Sequence, residues 1–226
     1  MASTQSYSIS EAIRLIFGVQ LAKHEAMRVD VNYLLKAMHK AGAIALKHEP
    51  LSHNKGWRIP VTEMCAVRNA VLLQGVFATP KIIVKLFNEV AERRHYAQWA
   101  RDLLLERQSV AGVSLTHADL LGFLELLESG TDLKTHELPN PFPDALPQIG
   151  LATSDGNLLK TLAAQTAALS VGDSMMLHYL NDDLEKAFNC ANALNTNNSL
   201  LLKYRSLIIN EYTQAKEFDD LLDFLR

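Results

Sequence analysis

Four of the seven prolines of this 226-residue chain lie within one short segment, ELPNPFPDALPQ, at positions 137–148. Proline fixes the backbone φ angle and donates no backbone hydrogen bond, so an α-helix cannot run through this segment. Helical periodicity dominates the sequence on both sides of it. We therefore expect two helical parts, with residues 131–156 as a proline-rich linker or crossing loop between them.

The charge of the chain is also unevenly distributed along its length. Residues 1–107 hold 15 Lys and Arg against 9 Asp and Glu, a net charge of +6, together with five of the eight histidines. Residues 108–226 hold 7 bases against 16 acids, a net charge of −9. This asymmetry predicts an anionic partner for the first part and a solvated or protein-facing surface for the second. The alternative is an imbalance that serves only solubility.

The composition excludes several classes of protein. With 48% hydrophobic and 21% charged residues, the chain is typical of a soluble globular protein. No apolar run approaches the ~18 residues of a membrane span, and Glu11 and Arg14 interrupt the apolar stretch that a signal peptide needs. We therefore expect a cytoplasmic protein with no membrane partner. Two cysteines, Cys65 and Cys190, are too few for a disulfide framework or a four-cysteine zinc site.

Local signals predict two helices near the amino terminus. Ser8 and Glu11 have the spacing of a capping box, which predicts a helix that starts at residue 9. Asp30 is expected to cap a second helix, which ends where Gly42 suits a left-handed residue. The apolar stripe of this second helix consists of Val31, Leu34, Leu35 and Met38.

The period changes after Gly42. Ala43–Lys47 and Trp57–Pro60 are predicted strands of a β-hairpin, which Trp57 anchors on the helices. A helix over Thr62–Gly75 follows. Thr79 and Pro80 then provide an N-cap and a first helical residue for a helix that would reach about Arg107.

The rest of the chain reads as helical. A helix from Thr116 is expected to stop at Gly130, and further helices are predicted over 157–170, 173–194, 198–216 and 217–226. The last third is similar to one helix-turn-helix unit of the tetratricopeptide type, with Ala187 and Ala191 where helices approach closely. The predicted fold is mainly α: a helical bundle with one small β-hairpin and an all-α carboxy-terminal lobe. Its predicted parts are 1–76, 77–130, the linker 131–156 and the acidic lobe 157–226.

The segment VNYLLKAMHKAGAIALKHEPLSHNKGWRIP, with its flanking helices over about residues 7–76, resembles the second half of a winged helix-turn-helix. More narrowly, it is similar to iron–sulfur-sensing winged-helix repressors, in which a Tyr-Leu recognition helix ends at Ala-Gly before a wing. The resemblance implies that the second helix enters the major groove. The helix that usually precedes recognition looks short or missing, and the cluster-binding cysteines are absent apart from Cys65. The resemblance therefore extends to DNA contact and not to iron sensing.

Two groups of residues are candidates for nucleic-acid contact. In the first group, lysines would neutralise phosphates, Asn32 and His39 would reach base edges, and the hairpin residues would bind the backbone or minor groove. This group comprises Asn32, Lys36, His39, Lys40, Lys47, Lys55 and Arg58. The second group is a basic and aromatic stripe projected on one long helix; its candidates are Lys81, Lys85, His95 and Trp99, alongside Asn88, Glu92 and Tyr96. The alternatives are a solvated helix face for the first group and helix packing for the second.

Two arginines fall on the apolar side of the same projected helix. Arg94 and Arg101 share the side of Ile83, Phe87, Val90 and Leu104, where a charge is costly without a partner. They are expected to pair with acids, to reach a ligand phosphate or to mark a break in the helix.

The sequence lacks the usual enzyme motifs. His24-Glu25, His48-Glu49 and His136-Glu137 have no second histidine at zinc-protease spacing, and Lys160 does not follow a glycine as in a phosphate-binding loop. His48, His53 and Cys65 could approach one another beside the hairpin, although such residues are usually surface residues. We predict no metal, no cofactor and no enzymatic activity.

The expected function is non-enzymatic nucleic-acid binding, either as a transcription regulator or as a subunit of a larger nucleoprotein complex such as an RNA-guided effector. Residues 1–107 would contact nucleic acid, and the acidic carboxy-terminal helices would bind a protein partner or self-associate. The alternatives are a helical adaptor, chaperone or effector that binds only proteins and, third, a small-molecule enzyme.

Overall fold

The computed structural model describes residues 5–18, 25–50, 55–77, 79–107, 117–140, 170–180 and 183–224. The chain divides into two compact units, a first unit of residues 1–159 and a second unit of residues 160–226. The described residues form nine α-helices and one three-stranded antiparallel sheet. The predicted fold class, mainly α with a small β element, is therefore confirmed.

The first unit begins with a strand, two helices and a hairpin. These elements are β1 (Ser6–Ser8), α1 (Ile9–Phe17), α2 (Glu25–Lys40), β2 (Lys47–Pro50) and β3 (Lys55–Pro60). The sheet order is β1-β3-β2, so β1 joins the outer side of the hairpin. The hairpin is confirmed, but its first strand begins at Lys47 and not at Ala43. Strand β1 was not predicted, because three residues are too few to show an alternating pattern.

The first predicted helix start is confirmed and the second is wrong. The Ser8 hydroxyl accepts a hydrogen bond from the Glu11 backbone N–H at 3.2 Å, and the Glu11 carboxylate accepts one from the Ser8 N–H at 2.7 Å. This is the complete capping box. Helix α2, however, already begins at Glu25, so Asp30 lies inside the helix and does not cap it. Good helix formers at positions 25–28 extend the helix by more than a turn.

Four further helices follow in the first unit. A 3₁₀ turn over Val61–Glu63 leads into α3 (Met64–Phe77), α4 (Pro80–Asn88), α5 (Val90–Arg107) and α6 (His117–Ser129). Thr79 and Pro80 occupy the predicted N-cap and first helical positions, although the Thr79 side chain makes no capping hydrogen bond. The predicted start of α6 at Thr116 lies outside the described residues.

The single long helix predicted from residue 80 to about residue 107 is wrong. The chain breaks at Glu89, whose backbone is extended with φ −123° and ψ 94°. A buried arginine explains the break: Arg93 donates from its guanidinium to the Leu86 carbonyl at 3.2 Å and to the Gly130 carbonyl at 3.0 Å. The Leu86 carbonyl, near the end of α4, thereby gains a hydrogen-bond donor. In a straight helix a backbone N–H of the next turn would bond to this carbonyl instead.

The first ten residues of the predicted linker pack against the first unit. Helix α6 ends before Gly130, as predicted, and Gly130 has a left-handed φ of +83°. The next residues dock on α3 and bury Leu133 and Leu138, each 1% exposed. Residues 131–140 therefore are not a linker, because their contacts belong to this unit. Residues 141–156 lie outside the described residues.

The described part of the second unit contains α7 (Val171–Leu180), α8 (Leu184–Ala193) and α9 (Ser199–Phe224). Helix α8 packs on both neighbours and buries Ala187 and Ala191 completely, at the positions where close approach was expected. The helix predicted over 173–194 is two helices, because Asp183 starts α8 by capping the Lys186 N–H at 3.3 Å. The helices predicted over 198–216 and 217–226 are one helix. The helix predicted over 157–170 lies outside the described residues.

Candidate nucleic-acid interface

Helix α2 separates an apolar face from a polar and basic face. Its apolar stripe is confirmed, since Val31, Leu34, Leu35 and Met38 are all 0% exposed. On the other side, Lys36 and Lys40 are exposed and Asn32 is half-buried. At 3.6 residues per turn these three side chains project along one face of the helix. The helix therefore presents two cations and an amide to solvent along its length.

A glycine ends α2 and directs the chain into the hairpin. Gly42 has φ +70°, and its N–H donates to the His39 carbonyl at 3.0 Å. The Ala43 N–H donates to the Met38 carbonyl at 2.9 Å. These two bonds form a Schellman motif, which satisfies carbonyls at the end of the helix. The sequence prediction for Gly42 is confirmed.

The ring of Trp57 joins the hairpin to the end of α2. Its centroid lies 5.1 Å from the His39 ring and 5.4 Å from the His48 ring, and His48 is its partner across the strands. The Leu46 backbone N–H donates to His39 Nδ1 at 3.2 Å. The His39 ring thus accepts a hydrogen bond within the segment that follows α2. The sequence predicts that this ring reaches a base edge. His39 therefore positions the hairpin through its Nδ1, and its contact with a base edge stays a prediction.

The outer face of the sheet carries further cations. Lys47 and Arg58 lie directly opposite each other in the antiparallel register, so their side chains share one face. Lys47 is exposed, whereas Arg58 is half-buried and forms an ion pair with Glu11 at 3.3 Å. Hydrogen bonds from Ser8 hold the pKa of Glu11 below its ordinary value, and the charges of Arg58 and Arg14 add to this effect. Arg58 therefore connects β3 to the start of α1.

The lysines of α4 lie on a stripe that reaches α2. Asn88 donates from its side chain to the Ala41 carbonyl at 3.5 Å, at the end of α2. Lys85 and Lys81 precede Asn88 by three and seven residues, so all three share one side of α4. Lys81 is exposed and Lys85 is half-buried. Lys81 and Lys85 therefore continue the basic surface beyond the carboxy-terminal end of α2.

The remaining candidates of the second group do not continue this surface. The break at Glu89 places His95 and Trp99 on α5, whose axis is not that of α4. Trp99 is 6% exposed and Tyr96 is 0% exposed. The continuous basic and aromatic stripe is therefore wrong, because its aromatic rings are buried in the first unit. The burial of these two rings agrees with the alternative interpretation of the second group, which is helix packing.

The two arginines that were projected onto the apolar side have protein partners, although Arg94 is exposed and Arg101 is half-buried. Arg101 and the Glu128 carboxylate form an ion pair between α5 and α6. Arg94 donates to the Ser129 carbonyl at 3.1 Å. The expectation of pairing is thus confirmed for Arg101, and Arg94 lies beside the break that the sequence allowed for.

Sequence reasoning missed one conspicuous residue of this surface. Tyr33 is 68% exposed on α2, and at 3.6 residues per turn it projects within about 20° of Lys40. The same projection that grouped Asn32, Lys36 and Lys40 would have found it. Arg14 of α1 is also exposed. The side chain of Lys55, at the start of β3, lies outside what the structure describes.

Of the other sequence candidates, the structure describes His48 and Cys65, which have different neighbours. His48 contacts Trp57, Cys65 lies 3.7 Å from the Asn69 amide nitrogen, and His53 lies outside the described residues. Burial raises the pKa of the Cys65 thiol, which disfavours the reactive thiolate. Among the described residues, no three His, Cys, Asp or Glu side chains are grouped as metal ligands. The Gly, Lys and Thr near Lys160 are likewise outside the described ranges.

Comparison with known proteins identifies no relative. No family model, curated protein sequence or solved structure matches this chain. Over the part of the chain that the structure describes, no helix has the length and apolar character to cross a membrane.

Proposed function

We propose that residues 6–60 act as a winged helix-turn-helix that binds duplex nucleic acid, with α2 in the major groove and the β2–β3 hairpin as the wing. The observation that carries the proposal is the exposed face of α2, on which Asn32, Lys36 and Lys40 lie opposite a fully buried stripe. A helix is of the right diameter for the major groove, and phosphates are the natural partners of its flanking lysines.

The arrangement of elements supports this proposal. Two consecutive helices precede a hairpin, as the resemblance to winged-helix regulators implies. Strand β1 pairs with β3, and Arg58 contacts the capping box of α1, so the wing and the helices are held together. In this proposal α1 serves as the helix before recognition, because by sequence the helix expected between α1 and α2 is short or missing. The seven residues between α1 and α2 exceed the usual three- or four-residue turn, which is a departure from the simple motif.

The charge distribution supports an anionic ligand. The first 107 residues carry +6, whereas the whole chain carries −3. The exposed lysines at positions 36, 40, 47 and 81 all lie in this basic part. Each phosphate that such a lysine neutralises releases counterions, so binding should weaken as the salt concentration rises.

In this proposal the protein is non-enzymatic and acts as a regulator or as a subunit of a nucleoprotein complex.

A protein partner for the carboxy-terminal helices remains a prediction, and one observation favours it. Residues 204, 208, 211, 215 and 218 share one stripe of α9. Tyr204 and Ile208 are 0% exposed, whereas Phe218 is 61% exposed. The stripe thus leaves its second half uncovered within the described second unit, and a protein partner is the natural occupant.

Salt-dependent binding tests the proposed function. We would titrate labelled random-sequence DNA duplexes with the full chain and with Lys36→Ala/Lys40→Ala. The matched control is Lys203→Ala/Lys216→Ala, which removes two exposed lysines of the second unit and changes the net charge equally. The first variant should flatten the slope of log affinity against log salt by about 1.8, from ~0.9 per phosphate contact, and the control should not. Absence of binding to duplexes and single strands at low salt would refute the proposal in favour of a protein-binding adaptor.

A further inference from the structure

Tyr33 is a large aromatic side chain that the fold does not use. It is 68% exposed, although its neighbours Leu34 and Leu35 are completely buried. Burial of an aromatic ring is strongly favourable, so an aromatic residue left in solvent on a rigid helix has no structural benefit. Its exposure places it on the polar face of α2, beside the two lysines.

The position of Tyr33 on this face differs from that of the lysines. Lys36 and Lys40 follow it by about one and two helical turns, so Tyr33 lies in the middle of α2, on the amino-terminal side of both lysines. When a helix lies in the major groove, the side chains on its inward face are the ones that reach base edges. The lysines after it carry charge and suit the phosphates. The tyrosine carries no charge and offers an apolar ring with one hydroxyl.

We infer that Tyr33 contacts a thymine in the major groove, with its ring against the 5-methyl group, and that the ligand is B-form DNA. This inference rests on the proposed function and deepens it. The thymine methyl is the apolar group that the major groove exposes. Duplex RNA lacks this methyl, and its deep, narrow major groove does not admit side chains. The tyrosine ring therefore distinguishes DNA from RNA as well as one base from another.

The experiment replaces thymine by uracil, which removes only the 5-methyl group. Duplexes that the full-length protein enriches from a random DNA library are the probes, and each thymine is exchanged in turn for deoxyuridine. At one or more positions the exchange should weaken wild-type binding about fourfold, the loss expected for one buried methyl at ~0.8 kcal/mol. Tyr33→Ala should abolish this discrimination, and Tyr33→Phe should keep it because the ring remains.

Two controls separate this inference from the proposed function. Lys36→Ala should weaken binding to thymine and uracil duplexes equally, and Phe218→Ala, which removes the other strongly exposed aromatic ring of the described residues, should alter neither. Circular dichroism should show unchanged folding for Tyr33→Ala, since the residue is exposed. Equal wild-type affinity for thymine and uracil duplexes, or tighter binding to single strands or to RNA, would overturn the inference. Absence of duplex binding altogether would instead refute the proposed function.

Discussion

Asn69 is a polar side chain, 0% exposed, at the centre of the first unit. Its amide nitrogen donates to the Leu133 carbonyl at 2.9 Å and to the His136 carbonyl at 2.7 Å. Its oxygen accepts from the Leu138 N–H at 3.0 Å and from Arg68 at 3.4 Å. These four contacts use the full capacity of an asparagine amide. The residue thereby holds residues 131–140 on α3.

Replacement of Asn69 should therefore destabilise the protein far more than its size suggests. Asn69→Ala leaves two carbonyls and one N–H of residues 133–138 without their partners, and we expect a loss of about 3 kcal/mol in the free energy of unfolding. Urea denaturation followed by circular dichroism measures it. The matched control is Asn210→Ala on the exposed side of α9, which should change stability by less than about 0.5 kcal/mol. Similar losses for the two variants would show that the amide network is not a stabilising contact.

For single residues, the contacts between sequence neighbours were predictable, whereas the contacts between residues far apart in the sequence were not. The capping box of Ser8 and the left-handed Gly42 depend on neighbours a few residues away, so the sequence predicted both. The partners of Asn69 lie more than sixty residues along the chain. The exposed Lys36 and Lys40 were found because they depend on the helix period alone, whereas the engagement of His39 required the position of Trp57 and Leu46.

At the scale of elements, the break between α4 and α5 decides which candidates share a surface. No proline or glycine marks it, so the sequence pattern continued across Glu89. Arg93 is 2% exposed, and its guanidinium bonds to one carbonyl on α4 and one beyond α6. Burial lowers the pKa of Arg93, and the nearby charge of Asp132 opposes this effect. The break thus depends on a tertiary contact that helix propensity cannot show.

We expect Arg93 to be essential for this junction. Arg93→Met keeps the apolar stem but leaves the Leu86 and Gly130 carbonyls without their donor, which should cost about 3 kcal/mol in the free energy of unfolding. Arg93→Lys retains the charge without the planar fork and should recover only part of this loss. The neighbouring Arg94, which is exposed and makes one bond to Ser129, provides the control: Arg94→Met should cost less than about 1 kcal/mol. Equal effects at positions 93 and 94, measured by thermal and urea denaturation, would contradict this role.

At the scale of the whole molecule, the charge asymmetry does not follow the division into units. The second unit, residues 160–226, has 6 bases and 9 acids and carries −3, whereas the first unit has 16 of each and is neutral. Of the net charge of −9 after residue 107, −6 therefore belongs to residues 108–159 of the first unit, which follow the basic elements from β1 to α5. Net charge along the sequence indicated a basic amino-terminal part but could not locate the boundary between the two units, because folding brings distant segments together.

We expect residues 1–159 to be the smallest part of the chain that folds and binds. Residues 1–107 contain the whole candidate interface. They lack α6 and the residues after it, whose carbonyl groups accept hydrogen bonds from Asn69 and Arg93. Without them, α5 loses its packing partner α6, whose Phe123, Leu124 and Leu127 are buried. We therefore expect residues 1–159, expressed alone, to unfold in one cooperative transition and to bind DNA duplexes at least as tightly as the full chain, because three net negative charges are removed. Residues 1–107 should show no cooperative transition, despite their higher positive charge. Circular dichroism melting and duplex titration of both fragments check this, and a cooperative transition of residues 1–107 at the temperature of the longer fragment would mean that the interface folds without α6.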